Sequence, residues 1–273
     1  MNTSHGLEIR HELVHCTELV IVCCHATYTG DGSDTGEDQW VLQDFQRSNP
    51  DTGRPSEHET YEAHILAGAL AVEDRQQAML MFSGGMTDKS TFTEAEGYEK
   101  VFKALASRGR VSGAYSSHRY ELENWATDSF QNLLFSILRF RQVTGNYPRA
   151  VTVITHAFKE DRFLDLHAPA IKWPASRIRV QGLNPPFTRD ELRATQNSEL
   201  ERAFDLFASD PYGVQPSLDS KRRARNWDYH HLKAVASEVE DEVGELLVWD
   251  GGKTGREFFP KKLPWEDDEK GTE

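Results

Sequence analysis

Three continuous apolar runs stand out along the chain: Leu19 to Cys24, Ala78 to Phe82 and Ala150 to Thr155. Their apolar residues do not alternate with polar ones, which predicts strands buried on both faces, as in a parallel sheet. Weaker strand patterns fall at Tyr120 to Leu122 and at Arg177 to Gly182, the latter ending in Asn184-Pro185-Pro186. Between these runs the period becomes helical. Tyr61 to Val72 carries Ile65, Leu66, Ala69 and Leu70 on a helical spacing. Thr93 followed by Glu96 forms a capping-box pattern that opens a helix through Leu105, and Asp128 with Gln131 opens another that Gly145 stops. Further helices are expected from Phe158 onward, with Phe163, Leu164 and Ile171, and over roughly Arg189 to Phe207. Strand and helix in alternation predict an α/β fold: a Rossmann-like three-layer αβα sandwich on a mostly parallel sheet.

The pattern changes after Ser209. A basic run, Lys221-Arg222-Arg223-Ala224-Arg225, precedes Trp227, Tyr229, His230, His231 and an acidic helix. This predicts an α/β domain over 1–208, with its core at 19–187, and a C-terminal helical extension over 209–264 packed on it. An acidic tail, 265–273, is expected to be disordered. The basic run itself reads as a solvated or salt-bridged helix start.

Composition narrows the partners. Of 273 residues, 38% are hydrophobic, enough for a sizeable core, and 31 basic against 44 acidic side chains leave a net charge of −13. Such a field repels phosphate backbones, so nucleic acid is not expected as the main partner. It leaves room for a small anion in a locally positive pocket. Met1 to His15 carries no apolar stretch of the secretory kind, and Leu19 to Cys24 is far too short to span a bilayer, so no membrane anchor is expected. The three cysteines, Cys16, Cys23 and Cys24, make no disulfide framework. A cytoplasmic protein is the expectation.

In open parallel sheets ligands bind beyond the carboxyl ends of the strands, which directs attention to the residues just after each apolar run. Ser83-Gly84-Gly85 comes after the second run. Its glycines would let backbone N–H groups approach an anion, or would merely form a tight turn. The third run ends at Thr155, and beyond it come Lys159 and Arg162, the two cations on one helical face. They suit a phosphate or carboxylate, or else a solvated face balanced by Glu160 and Asp161. Glu123 stands just past a strand, where carboxylates commonly accept ribose hydroxyls, while Asp128 reads as a helix cap. Thr127 and Asn132 lie close by. His25 and Glu94 are the candidate catalytic bases. No metal site is expected, since strand alternation sends the thiols of Cys23 and Cys24 to opposite faces and His58 and His64 lack zinc-motif spacing. Neither a G-x-G-x-x-G fingerprint nor a Walker loop nor a Gly-x-Ser-x-Gly elbow is present.

Taken in order, these strand-end residues resemble the YdcF/SanA-like family (domain of unknown function 218). The likeness rests on Ser83-Gly84-Gly85 with Glu94-Ala95, then Glu123, Ala126, Thr127, Ser129 and Asn132, then Thr155 with Arg162. Cys24-His25-Ala26, Trp40 to Gln46 and Phe158-Lys159 through Arg162-Phe163 look like its fungal branch, and the match spans roughly Leu19 to Phe187. The resemblance implies a Rossmann-type fold with a pocket at the strand ends, and S-adenosylmethionine as a possible cofactor, since its binding has been associated with a bacterial relative. Lys159 stands where bacterial members usually carry His, a departure from the bacterial pattern.

Two functional readings result. One is a binder of a small anionic or nucleotide-type ligand, S-adenosylmethionine included, with transferase or hydrolase chemistry. Its ligand-binding residues would be Ser83, Gly84, Gly85, Glu123, Thr127, Asn132, Thr155, Lys159 and Arg162, and its catalytic residues His25 and Glu94. The other is a non-catalytic binding or scaffold protein that keeps the fold.

Overall fold

The apolar runs and the two weaker patterns become five parallel strands: β1 (Glu18–Cys23), β4 (Ala78–Ser83), β5 (Tyr120–Glu123), β6 (Ala150–Thr155) and β7 (Ile178–Gly182). They form the central sheet in the order β5-β4-β1-β6-β7. Two short antiparallel strands, β2 (Thr27–Tyr28) and β3 (Trp40–Val41), form a separate ribbon. The computed structural model describes residues 9–112, 115, 117–236 and 239–266. Expectations for Met1 to Glu8 and for the acidic residues after Glu266 lie outside them.

Strand alternation builds two cores from the same runs. Leu19, Ile21, Cys23, Met79, Met81, Val151 and Val153 face one side, while Val20, Val22, Cys24, Leu80, Phe82 and Ile154 face the other. The thiols of Cys23 and Cys24 therefore part, as the alternation requires. On the second side lie α1 (His58–Glu73) and α2 (Glu94–Ser107), through Tyr61, Ile65, Tyr98 and Phe102. On the first lies α3 (Ser129–Thr144), through Leu133, Leu134, Ile137 and Phe140. Each such side chain, fully buried, contributes roughly 1.5–3 kcal/mol relative to exposure. The caps read from sequence are present: Thr93 and Glu96 bond reciprocally, Asp128 accepts from the Gln131 N–H at 2.9 Å, and Gly145 closes α3 at φ +83°.

The third layer is completed by the C-terminal extension. After α4 (Arg189–Glu199) come α5 (Pro216–Ala224) and α6 (Asp241–Leu247). Leu218, Trp227, Val243, Leu246, Phe259 and Leu263 join the core beneath α3. The disordered tail expected from Trp265 onward begins too early: Trp265 is 2% exposed and its indole N–H donates to the Ile171 carbonyl at 2.8 Å. An apolar indole with a satisfied N–H belongs inside.

Two segments expected as plain helices are irregular. Beyond β6 the chain makes a 3-10 turn, Ala157–Lys159, then a π-helical segment, Arg162–His167. A second π segment, Leu200–Phe204, joins α4 to a last turn at Asp205–Ser209. Such widened turns commonly sit at functional sites because they re-aim side chains. Arg162 and Arg202 both ride on one.

Candidate functional site

The strand order puts a topological switch between β1 and β6. From β1 the chain moves outward through β4 and β5, then crosses back through α3 to β6 on the other side. Loops leaving β1 and β6 diverge there, opening a crevice at their carboxyl ends. A cleft of about 970 Å³ opens at this place, near the upper end of the roughly 300–1,000 Å³ typical of small-molecule sites.

Of the residues singled out by sequence, His25, Glu94, Thr127, Asn132, Thr155, Lys159 and Arg162 line the cleft. Ser83, Gly84, Gly85 and Glu123 do not; they lie buried behind its wall. The anion cradle expected at Ser83-Gly84-Gly85 is occupied by the chain itself. The Gly84 N–H donates to the Glu123 carbonyl at 3.0 Å and the Gly85 N–H to the Ala126 carbonyl at 2.6 Å. Glycine is needed here for close approach. A Cβ on Gly84 would stand 2.8 Å from the Cβ atoms of Cys24 and Glu94, and one on Gly85 3.0 Å from two backbone oxygens. Nor does Glu123 face a ribose. It accepts from the Trp125 N–H at 2.6 Å, the Ala126 N–H at 3.0 Å and the Ser83 hydroxyl at 2.5 Å. Asn132 donates to both Ser83 oxygens, at 2.9 and 3.0 Å. These groups tie the ends of β4 and β5 together.

The floor between β1 and β6 is different. His25 stacks on His156 with ring centroids 4.3 Å apart, and His156 stacks on Phe158 at 4.9 Å. Lys159 Nζ lies 3.3 Å from His25 Nδ1, and Thr155 Oγ1 lies 3.4 Å from His25 Nε2. With both ring nitrogens engaged, His25 has no free lone pair for a base; it positions Lys159. Burial, then the nearby Lys159 charge, hold His25 and His156 well below the usual histidine range, so both rings are neutral. His156 is 3% exposed, and neither of its ring nitrogens has a hydrogen-bond partner among the described residues. Such an orphan is costly unless something else meets it.

Burial and Arg162 pull Lys159 down to about 8. Arg162 is also buried and pairs with Glu199 at 3.0 Å, while its Nε has no partner. Glu94 accepts a short hydrogen bond from Thr87, yet burial pushes its carboxyl up to about 7, so both protonation states are populated near neutrality. Of the two expected catalytic groups, Glu94 alone keeps acid–base capacity.

The far wall comes from the extension, and here the basic run departs from the helix start expected of it. It ends α5 rather than starting it, and Lys221, Arg222 and Arg225 line the cleft together with Arg202. Arg222 is buried and bonds Asp128 at 2.6 Å. Arg225 donates to the Thr127 carbonyl at 2.7 Å, and Lys221 to the Arg202 carbonyl at 2.7 Å. Among the described residues, Lys159, Arg202, Lys221 and Arg225 form no ion pair with a carboxylate. A protein of net charge −13 thus gathers Lys159, Arg202, Lys221 and Arg225, none in an ion pair among the described residues, around one hollow that Glu57, Glu94, Asp128 and Glu199 also line.

A Saccharomyces cerevisiae chain, "Uncharacterized protein YOR238W", is 27% identical over 296 aligned positions, covering 91% of this chain and 97% of the yeast chain. No protein-family model and no solved structure matches the chain. No described group of His, Cys, Asp and Glu is arranged to hold a metal ion, and no described helix is long and apolar enough to cross a membrane.

Proposed function

We propose that the cleft binds a nucleotide-type small molecule, with its phosphate on Lys159 and Arg162. The observation that carries this reading is the meeting of Lys159 and Arg162 on the floor of the cleft at the switch point, Lys159 without an ion pair among the described residues and Arg162 with its Nε unbonded. Like charges held together repel, and a bound phosphate would relieve that cost through charge-assisted hydrogen bonds. Val41, Phe45, Phe158 and Phe187 supply apolar walls for a ring, with the Phe158 ring 6.0 Å from Lys159 Nζ. Glu94 titrates near neutrality in the cleft wall, so transfer or hydrolysis at the bound phosphate would run through its carboxyl.

The same cations count against S-adenosylmethionine, whose sulfonium is positive and would sit among charges of its own sign. Membership of the YdcF/SanA-like family and a cytoplasmic location belong to this reading. The strand order and the strand-end position of the shared motifs support the first; three buried, unpaired cysteines support the second. Thermal unfolding with millimolar AMP, inorganic phosphate or S-adenosylmethionine tests it, since a ligand at about 100 times its Kd stabilises by ~2.7 kcal/mol. AMP should raise Tm most and S-adenosylmethionine least. Stabilisation by S-adenosylmethionine without any by AMP would refute the proposal.

A further inference from the structure

We infer that the cleft is built for two linked phosphates rather than one: a diphosphate group, as in a nucleoside diphosphate or inorganic pyrophosphate. The inference rests on the nucleotide reading above and names its substrate class. The cations fall into two sets that differ in origin and in exposure. Lys159 and Arg162 rise from the segment after β6 and sit on the floor, with Arg162 only 7% exposed. Arg202, Lys221 and Arg225 come from the second π segment and from the end of α5, and stand exposed at the mouth.

The two sets lie within electrostatic reach of each other. Lys221 is held below its ordinary value by burial and then by Arg225, Arg202 and Arg162, and Arg162 in turn feels Arg225. Glu199 ion-pairs with Arg162 and Asp128 with Arg222, whereas Arg202, Lys221 and Arg225 form no ion pair among the described residues. One phosphate on the floor would therefore leave the outer set without an anion in direct contact. A second phosphate, one bridging oxygen away and nearer the solvent, would meet it.

The outer set is held where such a group would lie. Arg225 and Lys221 each donate to a backbone carbonyl, at 2.7 Å in both cases, which fixes their stems while other N–H groups stay free to donate. The neighbouring Asn226 donates to the carbonyls of Met86 and Asp88, both at 2.9 Å, pinning the end of α5 to the loop that leads to Glu94. The extension thus delivers its cations to a fixed place over the strand ends.

The test is calorimetric titration of AMP, ADP, phosphate and pyrophosphate into the full chain in divalent-free buffer. Wild-type protein is compared with the double variant Lys221→Ala/Arg225→Ala, both changes at exposed positions. ADP should bind about tenfold or more tightly than AMP, the worth of one added charge-assisted contact. Pyrophosphate should exceed phosphate by a similar factor, and ADP exceeding pyrophosphate would mark the ring as a further contact. The double variant should lose the advantage of the second phosphate while keeping AMP within about twofold. Equal affinity for AMP and ADP, or an advantage that survives in the double variant, would overturn the two-phosphate inference and leave the nucleotide reading standing. Binding of none of the four would overturn both.

Discussion

The two halves of the strand-end surface use polar residues for opposite purposes. At the ends of β4 and β5, Ser83, Gly84, Gly85, Glu123 and Asn132 satisfy one another, and the glycines allow the loops to touch. At the ends of β1 and β6, polar groups are left wanting: His156 has no hydrogen-bond partner among the described residues, and Lys159 meets the His25 ring instead of a carboxylate. The first half is complete without a ligand; the second is not. A polar residue at a strand end marks a binding site only when its hydrogen-bonding capacity is left open.

The largest effect that would sharpen this contrast is on stability. Glu123→Ala removes the acceptor of two backbone N–H groups and one hydroxyl in a buried site. Urea unfolding should show a loss of about 3 kcal/mol or more, whereas nucleotide affinity of the folded protein should hold. A loss below about 1 kcal/mol would mean that these bonds do not brace the sheet end.

Next in size is a pH effect at Glu94. Its folded carboxyl titrates at about 7, against an ordinary value of 4.5. Because the folded state holds the proton more tightly, its contribution to stability is full below about pH 4.5 and is lost as pH rises through 7. Glu94→Gln removes that loss. The variant should gain on the order of 2 kcal/mol over wild type at pH 8 and nothing at pH 4.5, since a tenfold change in proton affinity is worth about 1.36 kcal/mol. A gain independent of pH would place the cause elsewhere. The smallest effect concerns the apolar end. Phe45 is 65% exposed at the rim, so Phe45→Ala should weaken AMP by about threefold and leave inorganic phosphate unchanged. Equal weakening of both would show that the ring end does not receive the base.

Much of the fold is legible in the sequence because it rests on local patterns. The apolar runs become the central strands, and Thr93 with Glu96 caps α2 as expected. The floor of the site is legible for a topological reason: Thr155 ends β6, and His25, Lys159 and Arg162 lie just beyond the two strands that flank the switch point. The hidden part depends on contacts distant in sequence. Nothing local shows that the Gly84 N–H is taken by Glu123, or that His156 lacks a hydrogen bond one residue after Thr155. Lys221 to Arg225 reads like an ordinary charged helix because the loop it faces, at Thr127 and Asp128, lies some 94 to 98 residues earlier. The two π segments, which carry Arg162 and Arg202, have no signature in hydrophobic period.

The contrast between the halves meets its most direct test in one paired titration of AMP, into Lys159→Met and into Ser83→Ala. The account predicts that Lys159→Met weakens binding on the order of thirtyfold without lowering Tm, since it removes a half-buried cation from among other cations. Ser83→Ala should lower Tm, having lost its bonds to Glu123 and Asn132, and keep the AMP Kd within about twofold. Binding abolished by Ser83→Ala and intact in Lys159→Met would contradict it.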